Sequence, residues 1–161
     1  MNPSPTGSVD DGRSTPDQIL KYLSRISGPF LDRMDLQVDV PKLSGDEFGD
    51  HQQQTRSVET SQEVKKRVCK AREIQLYRAN KCNAQLTNKE LLLHCKLSPP
   101  DRFFLKNAVD KLGLSMRAYH RVIKVSRTLA DLELSTKIER SHLAEALGYR
   151  ALDDIIRQLS V

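Results

Sequence analysis

The residues best placed to bind a ligand lie at the start of one segment, residues 115–132. Ser115 can cap a helix there, and Arg117 falls in the first turn, where the helix dipole disfavours a cation. A helix N-terminus offers amide groups to an anion, and an arginine beside it adds a charged fork suited to phosphate. A residue that is locally unfavourable at a helix start, as this cation is, often marks a functional site. The same pattern also fits an arginine on a solvated face without a ligand.

The segment that carries Arg117 has the pattern of a well-buried amphipathic helix. Its apolar residues recur at steps of three and four and cover more than a third of the helix surface. They are Ala118, Tyr119, Val122, Ile123, Val125, Leu129, Ala130 and Leu132. The other face carries Arg117, His120, Arg121, Lys124 and Arg127. We therefore predict a helix with one side in the core and these side chains on the opposite, polar side.

The composition of the whole chain limits the partners it can have. It has 161 residues and a net charge of +5, with 26 Lys and Arg against 21 Asp and Glu. An excess this small permits a nucleotide or nucleic-acid partner but does not require one. The chain has no Trp and only 5% aromatic residues, which argues against a platform for stacking single-stranded bases.

Neither cysteine nor histidine spacing indicates a metal site. The three cysteines, Cys69, Cys82 and Cys95, form no Cys-x-x-Cys pair, and the four histidines form no His-Glu-x-x-His motif. We therefore expect reduced thiols and no metal ligands. No apolar run approaches the roughly 18 residues that span a bilayer, and the first residues carry no signal sequence. These features predict a cytoplasmic protein that does not contact a membrane.

The first third of the chain reads as a mixture of elements. A capped helix is predicted to begin at Thr15 and to run to Ile26. Residues 34–40 follow, in which Met34, Leu36, Val38 and Val40 alternate with polar residues, as is typical of a strand. One strand cannot form a sheet, so it either pairs with another molecule or belongs to a larger protein. Residues 42–57 are polar and contain Gly, which indicates a linker.

The rest of the chain is predicted to be a bundle of about five or six helices over residues 58–160. Helix starts are predicted at Thr60, Thr87, Ser98 and Ser115. The first helix should end near Asn80 and bury Val64, Val68, Ala71 and Ile74; the third should bury Phe103, Phe104, Leu105, Ala108, Val109 and Leu112. Ile138 should anchor the loop before a short helix that ends at Gly148, and a last helix should span residues 151–159.

Several stretches resemble one family, the magnesium-chelatase-like AAA+ ATPases, and within it the bacterial ComM/YifB branch. They are MNPSPTG, YLSRISGPFLDRMDLQVDVP, VKKRVCKAREIQ and SMRAYHRVIKVSRTLADL. The family's phosphate loop, G-x-x-x-x-G-K-[ST], does not occur in this sequence. The resemblance therefore implies the C-terminal third of such an ATPase. Residues 1–41 would be the remnant of an α/β nucleotide-binding core, residues 42–57 a linker, and residues 58–161 the helical lid domain.

The resemblance also implies roles for three residues. Asn2 matches the residue that senses the γ-phosphate, and Arg33 matches the arginine finger that reaches a neighbouring subunit's nucleotide. Arg117 matches the lid arginine that contacts the γ-phosphate within its own subunit. The resemblance also implies cysteines after Met-Asn-Pro that can bind zinc in many relatives, but Ser4 and Thr6 stand at those positions here, so we expect no zinc site.

Cofactors and partners follow from the same resemblance. The intact parent would use ATP and Mg²⁺, whereas none is expected for this chain alone. The parent would contain the remainder of the AAA+ core and form a homo-oligomeric ring, a hexamer by resemblance, which acts on a substrate that could be DNA.

Three functional hypotheses stand at this point. The first is a lid and arginine-finger fragment of an AAA+ motor, inactive alone. The second is a free-standing basic helical DNA-binding module, supported by the basic faces of residues 62–80 and 117–127. The third, a true metal chelatase subunit acting on a tetrapyrrole, is disfavoured by the ComM/YifB-like sequence Tyr-Leu-Ser-Arg-Ile-Ser-Gly-Pro and by the lack of a candidate metal cluster.

Overall fold

A computed structural model describes residues 33–38, 40 and 59–150 of the chain. Side chains cap four of the five helices in these residues. The described helices are α1 (Ser61–Ala79), α2 (Asn88–His94), α3 (Pro99–Leu112), α4 (Met116–Leu132) and α5 (Arg140–Gly148), with a 3-10 turn at Asn83–Gln85. The prediction of a mainly α chain is confirmed. The predicted helices at 16–26 and 151–159 lie outside the described residues, and so does Asn2.

The helices begin and end where the sequence predicts. The hydroxyl oxygens of Thr60, Thr87, Ser98 and Ser115 each accept a hydrogen bond from the backbone amide three residues later, at 3.1–3.4 Å. Such a cap pairs an amide that the helix itself leaves unbonded. Helix α1 ends at Asn80, whose φ of 53° is left-handed. Helix α3 ends at Gly113 with a φ of 49°, a conformation that glycine adopts without steric cost.

Helix α4 lies at the centre of the bundle and contacts α1, α2, α5 and the 3-10 turn. Its apolar face faces the core as predicted, with Ala118, Val122, Ile123 and Ala130 buried. Ile138 is buried too and anchors the loop before α5. The other buried apolar residues include Leu86, Leu91, Leu105, Leu143 and Ala146. The core therefore positions both ends of α4, including the end that carries Arg117.

Three residues predicted to be buried are exposed. Val64 and Val68 are 37% and 44% exposed, because every residue from 61 to 70 is exposed and burial in α1 begins at Ala71. Helical periodicity identifies the apolar side of α1 but not how far the neighbouring helices extend along it. Phe103 is 67% exposed, since at about 100° per residue it lies on the side of α3 opposite Leu105.

The predicted strand at 34–40 is not formed among the described residues, where 33–38 and 40 have no strand pairing. A ladder needs a second strand beside it, so alternation alone cannot produce one. The segment instead lies against the bundle. The amide of Gln37 donates to the carbonyl of Tyr149 at 2.8 Å, and Arg150 donates to the carbonyl of Met34 at 2.8 Å. The side chains of Met34, Leu36, Val38 and Val40 are exposed.

Candidate functional site

A cavity of about 430 Å³ opens at the N-terminal half of α4. We call it the α4 cavity. Its walls come from α4, from the 3-10 turn and the start of α2, and from the segment at residues 33–38. The lining residues are Asp35, Ala84, Asn88, Met116, Arg117, His120, Arg121 and Lys124.

Helix geometry explains why four of these side chains share one wall. Arg117, His120, Arg121 and Lys124 are spaced by three, one and three residues, which places them on one side of a helix over two turns. The hydroxyl of Ser115 fixes the start of α4 by accepting from the Ala118 amide at 3.1 Å. Core residues on the opposite face hold the helix against the bundle, so the basic side is turned away from the core.

The three basic side chains of the α4 cavity differ in the partners that they bind. The Lys124 Nζ donates to the carbonyl of Ala84 at 2.9 Å, which ties α4 to the 3-10 turn. Arg121 forms an ion pair with Asp35, whose side chain is half-exposed at 51%. The buried Nε of Arg121 has no hydrogen-bond partner within the part of the chain that the structure describes. Arg117 is exposed at the mouth of the cavity.

The α4 cavity fits an anion better than a cation. Arg117, Arg121 and Lys124 carry positive charge, and Asp35 is the one acidic residue among the lining side chains. By contrast, residues 33–38, 40 and 59–150 contain no group of three or more His, Cys, Asp or Glu that could hold a metal ion. The lining therefore suits a negatively charged group such as a phosphate.

The structure places two of the three predicted site residues. Arg117 lines the α4 cavity. Arg33 lies in an exposed turn two residues before Asp35 and is not one of the lining residues. Sequence reasoning missed Asp35 as a partner of Arg121, because the two are 86 positions apart and nothing in the sequence links them. The only signal in the sequence was the acidic side chain of Asp35, which suits a basic partner such as Arg121.

Arg127 is buried and does not share the polar face predicted for it. It is 2% exposed, and its guanidinium donates to Asp131 Oδ1 at 3.1 Å and to the carbonyls of Ser135 and Thr136 at 2.6 and 3.1 Å. Burial lowers the pKa of Arg127. These bonds tie the C-terminal half of α4 to the loop that follows it.

Asp131 also joins α4 to α1. Its two carboxylate oxygens accept from Arg78 Nη1 and Nη2, both at 2.7 Å, and from Asn83 Nδ2 at 2.8 Å. The hydrogen bond to Asp131 raises the pKa of Arg78. This buried network fixes the position and rotation of α4, and with it the direction in which Arg117 leaves the helix.

Comparison with known proteins identifies the class. The family model described as magnesium chelatase, subunit ChlI C-terminal, matches residues 58–150, and the model described as magnesium chelatase, subunit ChlI, matches residues 1–48. The chain therefore belongs to the magnesium-chelatase-like family of AAA+ ATPases. Among the described residues, no helix is long and apolar enough to cross a membrane.

Individual relatives confirm the ComM/YifB branch. The chain is 52% identical over 162 residues to competence protein ComM of Haemophilus influenzae, with 99% of this chain covered. It is 45% identical over 161 residues to protein YifB of Salmonella typhimurium, and 32% identical over 134 residues, 81% of this chain, to protein Mb2921c of Mycobacterium bovis. The matches span 31%, 31% and 26% of those relatives, so the chain corresponds to about a third of their length or less.

Proposed function

We propose that this chain is the lid and arginine-finger portion of a magnesium-chelatase-like AAA+ ATPase. In the intact protein, Arg117 contacts the γ-phosphate of the nucleotide held by its own subunit, and Arg33 reaches the nucleotide of a neighbour in a homo-oligomeric ring. Asn2 senses the same γ-phosphate. The chain alone does not hydrolyse ATP, because a phosphate loop must come from elsewhere in the protein.

The observation that carries this proposal is the α4 cavity. Arg117 stands at its mouth on the first turn of a helix whose position is held by a buried core and a buried ionic network. Negative charge must be stabilised on the oxygens of a phosphoryl group during transfer, and a pre-positioned guanidinium does so without reorganisation. Arg121 and Lys124 add positive charge on the same wall, which favours the triphosphate over an uncharged ligand.

The proposal also covers the substrate on which the AAA+ ring acts. From the resemblance to the ComM/YifB branch we infer a nucleic-acid substrate, DNA, for the ring to which this chain belongs; the relative at 52% identity is named a competence protein. Magnesium would be held by the parts of the ATPase core that this chain lacks.

Substitution of each arginine in a full-length protein that contains these residues tests the proposal. We expect Arg33→Ala and Arg117→Ala each to lower the turnover number of ATP hydrolysis by at least about a thousandfold, since both stabilise the transferring phosphoryl group. The matched control is Arg102→Ala, which removes an exposed arginine of α3 that does not line the α4 cavity and should keep activity.

Rings that contain both variants distinguish an arginine that acts on its own subunit's nucleotide from one that acts on a neighbour's nucleotide. When the two inactive variants are mixed, some sites receive an intact Arg33 from one subunit and keep an intact Arg117 in the other, so a measurable part of the ATPase activity should return. Rings that assemble and exchange subunits but never regain activity would show that the assignment of Arg33 in trans and Arg117 in cis is wrong.

A free-standing DNA-binding module is the second candidate. Residues 61–70, the first half of α1, are all exposed and include Lys65, Lys66, Arg67 and Lys70. If this surface bound DNA by itself, the isolated chain would bind duplex DNA with an affinity that falls steeply with salt, as counterions are released. The motor proposal instead expects tight DNA binding only in the assembled ring with nucleotide present.

A further inference from the structure

We propose that the ion pair between Asp35 and Arg121 is a latch that couples an anion in the α4 cavity to the position of Arg33. The inference rests on the proposed function of Arg33 and Arg117, but it concerns Asp35, to which that function gives no role, and a second role for Arg121. In the state described, Asp35 holds the segment at residues 33–38 against α4. An anion that binds Arg121 in place of Asp35 releases residues 33–38 from α4.

The first step is how the segment is held. The contacts that join residues 34–37 to the bundle include the Asp35–Arg121 ion pair, the hydrogen bond from the Gln37 amide to Tyr149, and the bond from Arg150 to the Met34 carbonyl. Tyr149 and Arg150 directly follow α5. The ion pair reaches α4, and both of its residues line the α4 cavity.

The second step is competition for Arg121. Arg117 and Arg121 lie one turn apart on the same face of α4. A phosphate held by Arg117 therefore lies close to Arg121, whose guanidinium it attracts, and close to the Asp35 carboxylate, which it repels. Asp35 is half-exposed, so it can return to solvent without leaving a buried charge behind.

The third step is the consequence for Arg33. Only one residue separates Arg33 from Asp35, and Arg33 itself is exposed. When Asp35 is bound to α4, this short connection restrains the Arg33 backbone close to its own subunit's lid. When an anion occupies Arg121, the two contacts around α5 remain but the restraint next to Arg33 is lost. A filled cavity in one subunit thus makes the arginine available to the next subunit.

Amide hydrogen exchange at Gln37 in this chain measures the latch directly, because that amide is bonded only while the segment lies on the bundle. We expect Asp35→Asn and Arg121→Gln to accelerate exchange about twofold to fivefold, the range for a half-exposed ion pair. The exchanged pair, Asp35→Arg with Arg121→Asp, should restore the wild-type rate. The matched control is Glu59→Gln, which breaks the exposed Glu59–Arg67 ion pair and should leave Gln37 unchanged.

Inorganic triphosphate is the probe for the coupling. Added at millimolar concentration, with sodium chloride at equal ionic strength as the reference, it should accelerate Gln37 exchange in the wild type. In Asp35→Asn, where exchange is already fast, it should have no further effect. The reference salt is needed because screening by itself weakens an exposed ion pair.

The possible results separate this inference from the proposed function. If neither single variant changes Gln37 exchange, the ion pair does not hold the segment and the latch is wrong, even when Arg117→Ala abolishes ATP hydrolysis. If the variants act but triphosphate does no more than the reference salt, the coupling to the α4 cavity is wrong. If the latch responds to triphosphate while Arg117→Ala keeps full ATPase activity, the latch stands and the role given to Arg117 fails.

Discussion

One carboxylate at the centre of the bundle balances two guanidinium groups. Asp131 is fully buried and accepts hydrogen bonds from Arg78 and Arg127, one on α1 and one on its own helix. The spacing of Arg127 and Asp131 by four residues could be read from the sequence, but the partner 53 positions earlier could not. A basic residue on a helix is usually solvated, and a buried countercharge from another helix overrides that expectation.

Loss of the Asp131 charge should destabilise the fold strongly. We expect Asp131→Asn to lower the free energy of unfolding by about 3–5 kcal/mol, because the buried Arg127 and the partly buried Arg78 then lack a countercharge. Urea denaturation of the chain measures it. Glu59→Gln, which removes one partner of an exposed ion pair, serves as control and should cost less than about 1 kcal/mol. A similarly small loss for Asp131→Asn would mean that the network does not hold α1 to α4.

The cysteines should differ sharply in reactivity. Burial raises the pKa of the Cys95 thiol to about 11, whereas Cys69 lies exposed on α1. The thiolate is the reactive form, so at pH 8 about one Cys95 in a thousand would be reactive in the folded chain. Iodoacetamide followed by peptide mass spectrometry should show Cys69 modified first, and Cys95 modified at a rate that still rises above pH 9. Equal rates at pH 8 would contradict the burial of Cys95.

At the scale of elements, α2 depends on one capping glutamate. The carboxylate of Glu90 accepts from Lys81 Nζ and from the amide and hydroxyl of Thr87, each at 2.8 Å. The hydrogen bond from Lys81, followed by those from Thr87, lowers the pKa of Glu90 from 4.5 to about 2. The ionised form is therefore favoured in the folded chain.

This shift predicts how stability depends on pH. Because the folded pKa of Glu90 is depressed, its contribution is complete above about pH 4.5 and is lost as the pH falls through about 2. Wild type should therefore be more stable than Glu90→Gln at pH 6, and the difference should shrink as the pH falls from 4.5 to 2. Urea denaturation at several pH values measures it. A constant difference between wild type and Glu90→Gln over this pH range would disprove the shift.

The helices were predictable because their signals are local. Hydroxyl caps at Thr60, Thr87, Ser98 and Ser115 lie within three residues of the amides they bind, so a single sequence contains both partners. The errors arose where distant parts of the chain decide the outcome. Val64 and Val68 are exposed because no other helix of residues 59–150 covers them, and residues 34–40 form no strand among the described residues because none pairs with them.

The candidate site, too, was predictable only where its signals are local in the sequence. Arg117, His120, Arg121 and Lys124 could be placed on one helix face from their spacing. That they line a cavity, and that Asp35 closes one side of it, depends on how a segment more than 80 residues away folds back onto α4. The roles of Arg33 and Asn2 came from family resemblance and stay predictions.

For the whole molecule, we expect residues 58–161 to fold without the preceding chain. The contacts of residues 34–37 with the bundle include hydrogen bonds at Met34 and Gln37 and a half-exposed ion pair at Asp35, so their removal should lower the free energy of unfolding by only about 1–4 kcal/mol. Circular dichroism during urea denaturation of the fragment should show one cooperative transition. A fragment without such a transition would mean that residues 1–57 belong to the same folding unit.

The exposed first half of α1 gives the bundle a mechanical property. Ten consecutive residues, 61–70, extend beyond the core as one continuous helix, and at 1.5 Å per residue they span about 15 Å. A helix transmits rotation along its axis far better than an unstructured chain does. A tilt of the bundle by about 10° would therefore carry the start of α1 through roughly 2–3 Å. Helix α1 would act as a lever, so that small rotations of the lid become a displacement at the point where the chain leaves it.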